Sequence, residues 1–177
     1  PFPLVIMDTL AFLEHLKSLP SYKGQMVHVE HIPGRDPIYG ELGEILHPTL
    51  GERLEALGLL PVYSHQAKAI SAALGGKNVL VVTPAASGKT LCYNVPVLDR
   101  MLRHRRSRAL YIFPTKALAQ DQLRGLRELV SPLGINCATF DGDTPTQERG
   151  EIRRSAQIVL TNPDMLHLGI LPHHNSW

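Results

Sequence analysis

Residues 78–90 constrain this chain more than any other stretch. Asn78-Val79-Leu80-Val81-Val82-Thr83 is a continuous apolar run, the texture of a parallel strand buried on both faces. It runs into Thr83-Pro84-Ala85-Ala86-Ser87-Gly88-Lys89-Thr90, and a helix is predicted from about Lys89 to His104. A small-residue turn between strand and helix leaves the first N–H groups of the helix free, and these favour an anion. The pattern therefore predicts a phosphate-binding loop. The N–H groups of Ala86 to Lys89 would cradle a phosphate, with Ala85 small enough to keep access open. Lys89 would neutralise phosphate oxygens, and Gly88 would allow close backbone approach. The Thr90 hydroxyl would ligate a Mg²⁺ held mainly through the phosphates. Lys89 and Thr90 are the candidate catalytic residues, Thr90 the candidate metal ligand, and Ala85, Ala86, Ser87, Gly88, Lys89 and Thr90 the candidate nucleotide-binding set. The strict pattern has glycine where Thr83 stands.

The same texture repeats downstream. Ala109 to Phe113, Ile135 to Phe140 and Gln157 to Thr161 read as three more strands. Helices are predicted over Lys116–Val130 and Pro145–Arg154, and Asn162-Pro163-Asp164 opens another. Strand and helix alternate with short connections, which predicts a mostly parallel sheet with helices on both faces. Ligands of such sheets bind at the carboxyl ends of the strands.

Residues 1 to about 60 have another texture, with Pro33-Gly34, Pro37, Gly40 and Gly43 scattered between short periodic pieces. Asp8 or Thr9 would cap a helix through Leu16, with Leu10, Leu13 and Leu16 on one face. Met26 to Ile32 alternates like a strand, and Pro48 to Leu57 reads as a helix stopped by Gly58. The fold class is thus α/β with a small N-terminal α+β appendage. The appendage covers 1–60 and the phosphate-loop domain 61–177.

Composition sets the outer bounds. Hydrophobic residues make up 44% of 177, enough for a core, and the 19% charged residues are too few for a disordered tail. A net charge of +2 does not by itself mark a nucleic-acid binder. Cys92 and Cys137 form no CxxC and suit reduced thiols, so a cytoplasmic location is expected. No apolar run reaches the roughly 18 residues that span a bilayer, so no membrane partner is expected.

Four further elements, in order, carry a resemblance. Tyr63-Ser64-His65-Gln66 precedes the loop, Pro114-Thr115-Lys116-Ala117-Leu118-Ala119-Gln120-Asp121-Gln122 follows the second strand, Phe140-Asp141-Gly142-Asp143-Thr144 the third, and Thr161-Asn162-Pro163-Asp164-Met165-Leu166 the fourth. With the loop, they resemble the Q-motif, motif Ia, the glycine motif and motif Ib of superfamily 2 helicases of the DEAD/DEAH type. The wording is most similar to the bacterial mitomycin-repair (MrfA-type) branch, which includes a eukaryotic RecQ-related relative.

The resemblance implies a RecA-like P-loop lobe, ATP and Mg²⁺ as cofactors, and a 3′-to-5′ DNA helicase acting in DNA repair. It gives Gln66 the adenine edge and Tyr63 the adenine face. It implies that Thr115, Lys116, Gln122, Gly142, Thr161 and Asn162 hold single-stranded DNA by its phosphates, independently of sequence. Family members carry an Asp-Glu-x-His box on the next strand and a second lobe with an arginine finger. Neither lies within these 177 residues, so this polypeptide is expected to bind ATP-Mg²⁺, and weakly DNA, without turnover.

Two rival readings stay open. A P-loop kinase or other NTPase would need a substrate lid and its own acidic strand end. An adaptor that kept the fold would have lost nucleotide binding, against which Lys89 and Thr90 speak. The cluster Arg100, Arg103, Arg105, Arg106 and Arg108 reads as a solvated helix end rather than a DNA-facing patch. The nine histidines show no metal-ligand spacing.

Overall fold

A computed structural model describes residues 8–34, 36–42 and 45–177. The chain divides into two compact units, Pro1–Asp36 and Pro37–Trp177. The sequence texture changes near residue 60, whereas the division falls between Asp36 and Pro37, because residues 42–62 contribute Leu42, Leu50, Leu54 and Val62 to the main core.

In the first unit, α1 spans Thr9–Ser18, and the Asp8 carboxylate caps it by accepting from the N–H groups of Leu10 and Ala11. No α1 side chain is buried, and Leu10 is 68% exposed. The strand expected over Met26–Ile32 does not form. Among the described residues they pair with no neighbour, and Val27 and Ile32 lie open. Alternation makes a strand only where a ladder partner exists. The described part of the appendage is therefore helix and irregular chain, not α+β.

The second unit begins with α2 (Pro48–Ala56) and α3 (Ser64–Leu74). Gly58, at φ 65°, ends α2 in the left-handed conformation glycine supplies. α4 (Lys89–Arg103) follows the loop and buries Cys92, Val95, Leu98, Met101 and Leu102, the i, i+3, i+4 face of an amphipathic helix. β1 (Ala109–Ile112), α5 (Lys116–Val130), β2 (Cys137–Thr139), α6 (Thr146–Ser155), β3 (Ile158–Thr161) and a short α7 (Pro163–Met165) complete it. α7 continues only as wide and then tight single turns to Ser176.

The three strands form a parallel sheet in the order β1-β3-β2. Ala109 faces Ile158, Ile112 faces Thr161, and Cys137 also faces Ile158. Every residue of β3 is buried, as the centre of a parallel sheet requires. One core packs α2, α3, α4 and α5 against the sheet, and a smaller cluster of Phe140, Ala156, Val159 and Ile170 closes its other face.

The predicted strand at 78–83 is the main departure. These residues make no ladder; Leu80 is 89% and Val82 84% exposed. The run has strand chemistry, but among the described residues no strand lies beside it to accept its hydrogen bonds.

The far end of α4 is fixed. Asp99, buried, accepts from the His47 N–H at 2.6 Å and from Arg103 Nε at 2.7 Å. Arg103 also donates to the Ile45 carbonyl at 2.7 Å, tying the last turn of α4 to the chain that enters α2.

Candidate functional site

The turn that opens α4 is built from left-handed residues. Ala86 has φ 56° and Gly88 φ 74°. Alternating left-handed and helical residues turn successive N–H groups to one side, which makes an anion-binding concavity. Lys89 folds into this turn, and its Nζ donates to the Thr83 carbonyl at 3.0 Å and the Pro84 carbonyl at 2.6 Å. Ser87 Oγ lies 3.4 Å from the same ammonium and 2.6 Å from Thr83 Oγ1. Thr90 is the second residue of α4 and is exposed. Burial pushes the nearby Tyr93 phenol up, and its hydrogen bond with Thr90 opposes that shift.

α3 comes up against the loop from behind. Gln66 is buried, its Oε1 accepts the Tyr63 N–H at 2.7 Å, and its Nε2 donates to the Gly88 carbonyl at 2.9 Å. A Cβ on Gly88 would collide with that amide, so glycine is what permits the approach. His65 Nε2 lies 2.9 Å from the Ser87 carbonyl.

Tyr63 stacks with two aromatic neighbours, Tyr39 at 5.6 Å and 7° and His65 at 5.9 Å and 9° between rings. Tyr39 arrives by a short antiparallel bridge in which Gly40 N–H donates to Val62 and Ser64 N–H to Ile38. Gly40 is required there, since a Cβ would sit 2.7 Å from that of Ala67. Tyr39, Tyr63, Gln66, Gly88 and Thr90 line one groove of about 790 Å³. The structure thus gathers the predicted base residues and the loop into one place. It adds Tyr39 and His65: His65 sat unassigned within the Tyr-Ser-His-Gln motif, and no spacing in the sequence points to Tyr39.

The residues expected at DNA separate into three groups. Lys116 and Gly142 come together: Lys116 Nζ is 2.9 Å from Asp143 Oδ1, and a Cβ on Gly142 would lie 3.1 Å from it. The hydrogen bond to the Asp143 carboxylate raises the Lys116 pKa, with Asp143, Asp141 and Asp164 adding charge attraction. Thr115, next door, caps α5 by accepting the Leu118 N–H. Gln122 instead accepts the Tyr93 hydroxyl at 3.0 Å and faces α4 and the groove. Thr161 and Asn162 point inward. The Thr161 hydroxyl, fully buried, donates to the Phe140 carbonyl at 2.6 Å. Asn162 is 6% exposed and caps the following turn through Met165 N–H.

Asp141 orders the glycine motif from within. Buried, it accepts the Asp143 N–H at 2.9 Å while Thr144 Oγ1 accepts the Asp141 N–H at 2.9 Å. The arginines have structural tasks more specific than a solvated helix end. Arg108 donates to the Arg153 and Ala156 carbonyls at the end of α6, and Arg105 to the Leu133 carbonyl. Arg149 lies over the Phe140 ring at 5.5 Å. Cys92 and Cys137 are buried and unpaired, and burial pushes both thiols up. Among the described residues no three His, Cys, Asp or Glu converge on a point, and no helix is long and apolar enough to cross a membrane.

A glycine-lysine-threonine turn at the head of a helix, with a parallel sheet and short crossovers, defines a RecA-like P-loop fold. Within that class the chain belongs to the DEAD/DEAH box helicase family, whose profile matches residues 63–176. It is 47% identical over 135 residues to the uncharacterised ATP-dependent helicase YprA of Bacillus subtilis, covering 73% of this chain and 18% of that protein. It is 40% identical over 177 residues to the ATP-dependent helicase HRQ1 of Saccharomyces cerevisiae, covering 98% of this chain and 16% of that one. A crystal structure of the DUF1998 helicase MrfA bound to DNA and AMPPNP superposes with a TM-score of 0.78 at 44% identity, covering 82% of this chain and 21% of that one. The chain therefore spans about one fifth or less of the length of these relatives.

Proposed function

We propose that this chain is the nucleotide-binding lobe of an ATP-dependent 3′-to-5′ DNA helicase used in DNA repair, working in the cytoplasm. The observation that carries the proposal is the position of Lys89. Its ammonium lies inside the loop, held by the Thr83 and Pro84 carbonyls and Ser87 Oγ. A triphosphate offers that cation stronger, charged partners. The loop fits the group: its left-handed residues form the concavity, and Tyr63, Gln66 and Tyr39 line the adjoining groove where a base would lie. Thr90 would supply a hydroxyl to Mg²⁺ carried in with the phosphates. A bound nucleotide would supply the free energy of the motor cycle when a second RecA-like lobe closes on it.

Thr115 and Lys116 after β1 and Gly142 after β2, brought together at the carboxyl end of the sheet, are the residues that would hold a DNA strand by its phosphates. Gln122 would act nearer the nucleotide, and Thr161 and Asn162 would support the shape of this end from inside. Contacts of that kind position a strand without reading its sequence. A relative found with both DNA and AMPPNP supports the pairing of these two ligands.

The test is a titration with ATP and Mg²⁺, read by calorimetry or by a fluorescent analogue. The wild-type chain binds; Lys89→Ala weakens binding by at least about tenfold, since a charge-assisted contact contributes roughly 1.5–3 kcal/mol. Equal affinity in the two proteins would overturn the reading.

A further inference from the structure

Two successive carbonyls of the phosphate loop are held by two successive side chains of α3. Gln66 Nε2 donates to the Gly88 carbonyl at 2.9 Å, and His65 Nε2 meets the Ser87 carbonyl at 2.9 Å. A carbonyl only accepts, so Nε2 of His65 carries the proton in this contact. Across a trans peptide the C=O and the next N–H point in opposite directions. Drawing the Ser87 carbonyl toward α3 therefore turns the Gly88 N–H away from α3. Drawing the Gly88 carbonyl the same way does the same to the Lys89 N–H. These are two of the N–H groups a loop of this kind presents to an anion.

The His65 ring is not free to choose its plane. It stacks on Tyr63 at 5.9 Å and 9°, and Tyr63 stacks on Tyr39 in turn. The loop itself resists this shape, because Ala86 sits at φ 56°, a left-handed conformation that costs a residue with a Cβ about 1–2 kcal/mol. Within the loop, Lys89 Nζ and the Thr83–Ser87 hydroxyl pair brace this shape, and the two α3 side chains add the contacts that hold it from outside.

We propose that His65 is a positioning residue for phosphate binding: its Nε2–H fixes the Ser87–Gly88 peptide so that the Gly88 N–H faces the phosphate. The inference rests on the nucleotide-binding reading above and adds to it a role for a side chain that touches neither base nor phosphate. Being a contact to the phosphate half of the site, it acts on any polyphosphate, with or without a base.

The test compares His65→Ala, His65→Phe and His65→Gln with the wild-type chain, titrating ATP-Mg²⁺ and inorganic tripolyphosphate, with melting curves on each protein. Phe keeps a stacking ring and loses the donor; Gln keeps a donor and loses the ring. The expected result is that Ala and Phe weaken both ligands by the same factor, about three- to tenfold, the worth of one neutral hydrogen bond. Gln recovers most of that loss. Tripolyphosphate affinity unchanged in His65→Phe, or rescue by Phe and not by Gln, would overturn the proposal in favour of simple ring packing. Where Ala fails to fold, the Phe and Gln pair decides the matter alone. A wild-type chain that binds neither ligand sinks the nucleotide-binding reading itself, and this inference with it. A wild-type chain that binds both, with all three variants matching it, removes only the role of His65.

Discussion

Two apolar runs of nearly the same chemistry end up in opposite circumstances. Ile158–Thr161 is β3, with strands on both sides and every residue buried. Residues 78–83 read at least as clearly as a buried strand, yet Leu80 and Val82 are more than four-fifths exposed and no ladder forms. The side chains do not distinguish them; the neighbours do. β1 and β2 offer β3 two full rows of backbone groups, while no described strand offers 78–83 even one. A strand is thus a relation between segments, and hydrophobic pattern reports only the capacity to enter one.

The largest effect that tests this contrast is the cost of trimming each run. Leu160→Ala in β3 should destabilise by about 2–5 kcal/mol, and Leu80→Ala should stay within about 0.5 kcal/mol. Urea unfolding monitored by circular dichroism measures both. Equal costs would show that residues 78–83 are buried in solution.

Next in size is the response to alkali, to which β3's neighbours and α4 should contribute and residues 78–83 should not. Burial raises the Tyr111 phenol on β1 and the Cys137 thiol on β2 above their ordinary values, with Cys92 on α4 alongside. A folded-state pKa above the unfolded one favours folding while the group stays protonated. That contribution is complete below the unfolded value, 9.0 for a thiol and 10.0 for a phenol, and is lost as pH climbs past it toward the folded one. Unfolding midpoints should therefore fall steadily above about pH 9, and Tyr111→Phe should flatten the fall. Residues 78–83 carry no titratable side chain and cannot contribute. A midpoint constant to pH 11 would count against the burial of these groups.

The smallest effect lies at the end of the unpaired run. Ala86→Gly removes the left-handed cost of about 1–2 kcal/mol but adds roughly 0.5–1 kcal/mol of chain entropy to the unfolded state. A net gain of about 0.5 kcal/mol is expected from the same unfolding measurement. A loss would mean that the loop takes another conformation in solution.

Much of the α/β region was legible in the sequence because its signals are local. Lys116–Val130 begins and ends as helical periodicity and Thr115 require, and the three paired strands fall inside the three apolar runs that remain. The turn that opens α4 was legible for the same reason, since its residues are consecutive. Pairing was not legible, and so both Met26–Ile32 and 78–83 were misjudged as strands. Burial of short polar side chains was not legible either. Thr161 and Asn162 look like free donors at a helix start, but a carbonyl 21 residues away and the turn of α7 itself use them. His65 and Tyr39 gain meaning only when α3 is docked against the loop.

The clasp on the last turn of α4 bears on how this region would answer a bound phosphate. With Asp99 and Arg103 secured to Ile45 and His47, one tip of a 15-residue rod is moored. A push at Lys89, on the opposite tip, then has to appear as tilt about that mooring rather than as sliding along the axis. Such a sweep would be widest at Lys89, shrink turn by turn, and vanish where α2 begins.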